Sequence, residues 1–264
     1  MKTMLLAAAA AFLVAVAWSA SVLRADDKEK PEAEQAASVG VKPATCIPKP
    51  RDPIWVKRHE QFIKDKDEAL AKGPVQLVFV GDSITDAWRG GEQNKIFMER
   101  WGQYNPLNLG ISGDKTQEVL WRLENGELDG LDEGTKLVVM MIGTNNLGHR
   151  PAATPEDTAK GVECLVKTIR QKLPQSKLLL LAVFPRGTAA DDPYRSQIRT
   201  VNSTISKLAD GRQVRYLDIG KKFLADDGTL PRDVMPDALH PNAKGYQIWA
   251  DAIDPAVKEM IGGR

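Results

Sequence analysis

The sequence predicts a three-layer α/β/α sandwich built on a central parallel sheet of about five strands. Two observations carry that prediction. From Ile54 onward short apolar runs alternate with longer amphipathic stretches, and each short run is apolar along its whole length instead of alternating with polar residues. A run of the second kind is what a strand buried on both faces requires. Helices between such strands imply parallel pairing with right-handed crossovers.

The strands are expected, in order, at "VQLVFV" (75–80), "PLNLG" (106–110), "KLVVMMIG" (136–143), "KLLLLAVF" (177–184) and "VRYLDI" (214–219). Helix-like segments separate them at Asn94–Trp101, Thr116–Asn125, Pro155–Leu173 and Tyr194–Ala209, and Ala243–Met260 closes the chain. A charged helix-like segment, "WVKRHEQFIKDK", precedes the first strand.

A chain of 264 residues, 42% hydrophobic and 27% charged, suits one globular domain with a sizeable core, assigned to residues 54–264. No internal repeat or linker interrupts it. The net charge of +1, with lysines and arginines scattered among acids, argues against nucleic acid as a partner. Residues 1–25 combine Lys2, an apolar stretch from Met4 to Trp18 and a run of small residues, the three parts of a secretory signal. The apolar run is about fifteen residues, short of the roughly twenty a spanning helix needs. The expectation is a secreted or periplasmic protein with no stable membrane insertion after cleavage. Residues 26–53, charged, proline-containing and poor in large apolar side chains, read as a flexible tether. Two cysteines are too few for a disulfide framework. Export would let them pair, but the reading preferred here makes Cys164 a small core residue and leaves Cys46 loose.

In sheets of this kind ligands bind beyond the carboxyl ends of the strands. The loops expected there hold "GDSIT", "GISGDKT" and "GTNNLGH", with "DALHPN" before the last helix. Ser83 would serve either as a nucleophile or as a helix cap. Ser112 is the rival nucleophile. "GISGDKT" is not a phosphate-binding loop, because Asp114 stands where that pattern needs glycine. A serine nucleophile needs a base, and the chain has three histidines. His59 lies in the charged first segment and reads as solvated. His149 sits near the rim without a carboxylate at short spacing. His240 has Asp237 three residues before it, so one turn would present an imidazole and the carboxylate that fixes its tautomer; a helix cap is the other reading of Asp237. Backbone N–H groups of Ser83 and Gly110 and the amide of Asn145 would share that sheet edge as oxyanion donors, although Asn145 and Asn146 would equally stabilise a turn.

Taken together, the four loops resemble the SGNH (GDSL-type) hydrolases, named for serine, glycine, asparagine and histidine in four blocks. In that family the serine follows the first strand in a G-D-S turn, so no second glycine is expected after Ser83. The resemblance casts Ser83 as nucleophile, Ser83, Gly110 and Asn145 as oxyanion donors, and Asp237 with His240 as the rest of a triad. "NLGISGDKTQEVLWRLENGELDGL", "GTNNLGH" and "PRG" at 185–187 resemble in particular the catalytic subunits of intracellular platelet-activating-factor acetylhydrolase, over about Trp55 to Met260. The resemblance implies a flavodoxin-like fold, acyl-ester hydrolysis through an acyl-serine, no metal or organic cofactor, and a homodimer as a possible assembly. Asn146 stands where the common G-x-N-D block has aspartate.

Those subunits are cytosolic, so the export signal separates this chain from them. The function expected is a serine esterase acting on short acyl, first of all acetyl, esters of small molecules or glycans. The alternatives are a lysophospholipase or lipid acetylhydrolase, and a non-catalytic carbohydrate-binding relative. Trp88, Leu147, Met235 and Leu239 are the expected apolar walls of the site.

Overall fold

The computed structural model describes residues 42–262. In chain order they form α1 (Pro53–Lys72), β1 (Leu77–Gly81), α2 (Ser83–Asp86), α3 (Gly91–Trp101), β2 (Leu107–Gly110), α4 (Thr116–Arg122), β3 (Leu137–Met141), α5 (Thr144–Gly148), α6 (Pro155–Lys172), β4 (Lys177–Leu181), α7 (Pro193–Ile205), β5 (Val214–Leu217) and α8 (Ala243–Gly262). The strands make one parallel sheet in the order β2-β1-β3-β4-β5. Gly81 lies opposite both Gly110 and Met141, so β1, β2 and β3 end level with one another.

The apolar runs lack polar interruptions because alternate residues feed two cores. Val78, Val80, Val138 and Met140 pack on one face with Trp55 and Phe62 of α1, Val119 of α4, Val162 of α6 and Val201 of α7. Leu77, Phe79 and Val139 pack on the other with Phe97 and Trp101 of α3 and Trp249 and Ile253 of α8. This is the expected three-layer sandwich. Three of the long helices start alike: Asp52, Thr154 and Asp192 accept hydrogen bonds from first-turn N–H groups, and proline follows each at the first helical position.

Element ends differ from the expectation for local reasons. The helix expected over Thr116–Asn125 leaves regular geometry after Arg122, where Asn125 and Gly126 (φ 107°) open a wider turn. β5 stops at Leu217, after which the Asp218 carboxylate takes the Gly220 N–H.

Three expectations about the N-terminal half are corrected. The expected signal lies outside the described residues, as does most of the expected tether, but residues 42–52 are packed against the domain. Ala44–Cys46 form a 3-10 turn, Thr45 is buried with its hydroxyl on the Asp157 carbonyl (2.6 Å), and its own carbonyl accepts from Thr116 Oγ1 (2.9 Å). Cys46 is not loose: it is disulfide-bonded to Cys164 of α6. His59 is not solvated but 4% exposed, with Nδ1 2.9 Å from Glu127 Oε1. It lies on the same α1 stripe as Trp55 and Phe62, and the carboxylate partner makes its burial tolerable.

Candidate active site

The strand order reverses at β1, whose neighbours are β2 and β3, and the loops after β1 and β3 flank the crevice created there. Ser83 begins α2 immediately after β1. It is not the cap. Asp82 fills that position and accepts the Ile84 N–H at 3.0 Å, which leaves the Ser83 hydroxyl free to point elsewhere. Its Oγ lies 2.9 Å from His240 Nε2. His240 Nδ1 lies 2.6 Å from Asp237 Oδ2, and Asp237 Oδ1 accepts the main-chain N–H groups of His240 (2.7 Å) and Leu239 (3.0 Å). The turn therefore orients the imidazole through its own backbone as well as through its ring. Burial pushes the Asp237 carboxyl up, but the hydrogen bonds from the His240 ring and backbone outweigh it and hold the group below the ordinary carboxylate range.

The turn itself is tied from outside. Ala238 takes a left-handed φ of 59°, uncommon away from glycine. Its carbonyl accepts the Gly187 N–H at 2.9 Å, while its N–H donates to Met235 (2.9 Å). Gly187 (φ 83°) could carry no side chain, because a Cβ there would meet the Asp192 carboxylate at 2.1 Å. Arg195 clamps this "PRG" loop by donating to the carbonyls of Arg186 and Gly187, both at 2.9 Å. Arg186 lies over the Tyr194 ring (4.2 Å) and reaches the Thr144 carbonyl (3.2 Å). Arg195 was missed in the sequence, and Arg186 was seen only as part of the quoted "PRG", without these contacts. Their signal would have been the long connection between β4 and α7, residues 182–192, which needs side chains from outside it to hold its shape.

Asn145 is buried, and its Nδ2 donates to the Asp114 carbonyl at 2.9 Å. An amide nitrogen carries two hydrogens, so one stays available. Asn146 is a brace: its Oδ1 accepts the Thr116 N–H (3.0 Å) and its Nδ2 donates to Thr116 Oγ1 (3.1 Å), fixing the start of α4. The Ser83 N–H opens a helix and has no acceptor among the described residues. Gly110 has a packing reason of its own, since a Cβ would meet Asp86 N at 2.3 Å. Its N–H is already donated to Asn108 Oδ1 (2.9 Å), so an oxyanion would have to share it.

Ser112 does not compete. Its hydroxyl donates to Asp86 Oδ2 at 2.8 Å and meets no imidazole. His149 is exposed on the rim, where partial burial and then the charges of Lys115, Arg186 and Arg51 lower its pKa. Of the expected apolar walls, Trp88 and Met235 are fully buried in the core on the α3/α8 side and Leu147 is buried in the opposite one; Leu239 alone stays half-buried beside the turn. Among the described residues no group of three or more His, Cys, Asp or Glu side chains is arranged to hold a metal ion.

The family model for GDSL-like lipase/acylhydrolases matches residues 79–248, from β1 into α8. The chain belongs to this family. Human platelet-activating factor acetylhydrolase IB subunit alpha1 is 36% identical over 196 residues, which cover 74% of this chain and 79% of that protein. Among solved structures, a GDSL-like lipase from Bacteroides thetaiotaomicron (TM-score 0.58, 20% identity, 76% of this chain and 98% of that one) shares the fold. So does an acetylxylan esterase from Geobacillus stearothermophilus (TM-score 0.55, 20% identity, 72% and 94%). Like its GDSL-type relatives, the protein is a carboxylic ester hydrolase.

Proposed function

We propose that the protein hydrolyses short acyl esters, acetyl esters first, through an acyl-serine intermediate on Ser83. The observation that carries the reading is the continuous chain Asp237–His240–Ser83, with contacts of 2.6 and 2.9 Å. Asp237 holds the His240 Nδ1–H, which leaves Nε2 free to accept the Ser83 proton as Oγ attacks the acyl carbon. The developing oxyanion takes hydrogen bonds from the Ser83 N–H and the second amide hydrogen of Asn145. The imidazolium returns its proton to the leaving alcohol, and water, deprotonated by the same ring, releases the acid.

The acyl preference follows from the walls. Each methylene of a longer chain gains about 0.8 kcal/mol only where apolar surface receives it. Trp88, Met235 and Leu147 are committed to the cores, leaving Leu239 as the apolar side chain beside the turn. The relative and the structural neighbour differ in the alcohol their names specify but share acetyl as the acyl group. Glycan-borne acetates are the favoured substrates, on the strength of the export signal expected in residues 1–25. The Cys46–Cys164 disulfide supports an oxidising compartment. The 36% identity to the acetylhydrolase subunit favours a second reading, a lipid acetyl ester. The test compares p-nitrophenyl acetate, butyrate and octanoate, then acetylated xylan against a platelet-activating-factor-type lipid. kcat/KM should fall along the ester series; values equal or rising towards octanoate reject the short-acyl reading.

A further inference from the structure

Behind the crevice lies a row of charges with side chains fully out of water. Arg122 on α4 donates through Nε to Asp114 Oδ2 (2.9 Å), through Nη1 to Glu127 Oε2, and through Nη2 to the carbonyl of Gly81 (3.4 Å). The side chains of Arg122, Asp114 and Glu127 are 0% exposed. Asp114 Oδ1 accepts from Trp55 Nε1 (2.7 Å) and from Arg51 (3.3 Å), and Glu127 Oε1 meets His59. A buried ion pair of this kind adds little net stability over apolar residues of the same volume, so stability alone does not account for it.

Its contacts point at the active site. Gly81 is the last residue of β1, two positions before Ser83, and the carbonyl of Asp114 is what Asn145 Nδ2 donates to (2.9 Å). One guanidinium thus joins the nucleophile turn after β1 to the loop after β2, and that loop holds the amide of the loop after β3. We propose that Arg122 is a positioning residue, acting through Asp114 to set the Asn145 amide relative to Ser83. Lysine could not replace it, because only a planar fork meets Asp114, Glu127 and Gly81 together. The proposal rests on the reading of Asn145 as an oxyanion donor.

The experiment measures kcat and KM on p-nitrophenyl acetate, well below the melting temperature, for Arg122→Lys, Asn145→Ala and the double variant. Arg122→Lys should lower kcat on the order of 10- to 100-fold with KM changed less than about twofold, as misplacement of a transition-state donor would. In the Asn145→Ala background the same change should cost less than about threefold, because its target has been removed. An unchanged kcat, or a loss that multiplies in full on Asn145→Ala, overturns the proposal. If Arg122→Lys does not fold, Trp55→Phe takes its place: it deletes the N–H on Asp114 Oδ1 and leaves a smaller aromatic ring where the indole was, and it should show a smaller kcat loss with the same non-additivity. If it shows none, the proposal fails. Should Asn145→Ala itself leave kcat intact, the oxyanion reading fails first; if it lowers kcat and Arg122→Lys does not, only the positioning role is lost.

Discussion

His240 Nε2 reaches to within 2.9 Å of Ser83 Oγ although 157 residues separate the two in sequence. The contact joins the loop after the first strand to the turn before the last helix, and it distinguishes the three histidines by position alone. His59 is paired with Glu127 in the core, and His149 faces solvent.

Replacing Ser83 with alanine should therefore abolish an organophosphonate label and lower kcat by about 10⁴-fold or more, with the far-UV spectrum unchanged. His240→Ala should be comparably inactive, and His149→Ala within a few-fold of wild type. A label recovered on Ser112, or an inactive His149→Ala that still binds substrate, would reassign the site.

Asn145 has one amide hydrogen on the Asp114 carbonyl and one to spare. If the spare hydrogen meets the oxyanion, Asn145→Ala should lose roughly 10²–10³ in kcat at nearly constant KM, because the bond strengthens only in the transition state. A change confined to KM would make Asn145 a substrate-binding residue instead.

The fold was legible because doubly buried strands have no polar interruptions, and the pairing of His240 with Asp237 because D-x-x-H is a local pattern. What escaped reading depends on partners far away in sequence. The inward face of His59 was visible in its spacing from Trp55 and Phe62, but the Glu127 that permits its burial lies 68 residues on. Cys46 sits in a stretch whose composition suggests a tether, and only the contacts of Thr45 with Thr116 and Asp157 bring it to Cys164. Trp88 follows the G-D-S turn closely in sequence, yet it points away from the site into a cluster with Tyr246 and Trp249.

The disulfide closes a span of 118 residues, and crosslinks over spans of that order contribute about 2–5 kcal/mol, largely by restricting the unfolded chain. Cys46→Ser, or wild type in reductant, should melt on the order of 10 °C lower for a domain of this size. The 42–52 segment should become an early site of proteolysis, since the disulfide is its covalent anchor. Equal melting temperatures with and without reductant would show that the pair does not form in solution.

Asp82 provides the pH dependence that can be signed most clearly. Its side chain is buried, Oδ1 accepts the Ile84 N–H, and Oδ2 has no hydrogen-bond partner among the described residues. Burial first, reinforced by the nearby Asp114 charge, raises its pKa from 3.8 to about 7. A carboxyl with a raised folded-state pKa keeps its proton in the native protein where the unfolded chain has lost it. The native state thus binds the extra proton between pH 3.8 and about 7, so this group's contribution to stability is intact below pH 3.8 and lost as pH rises towards 7. The slope within that window is at most about 1.4 kcal/mol per pH unit. Asp82→Asn retains the acceptor that caps α2 and removes the titration. Its melting temperature relative to wild type should become steadily more favourable from pH 5 to pH 8 and then level off. A difference that stays constant across that range would mean that Asp82 is ionised throughout and that an unseen partner satisfies Oδ2.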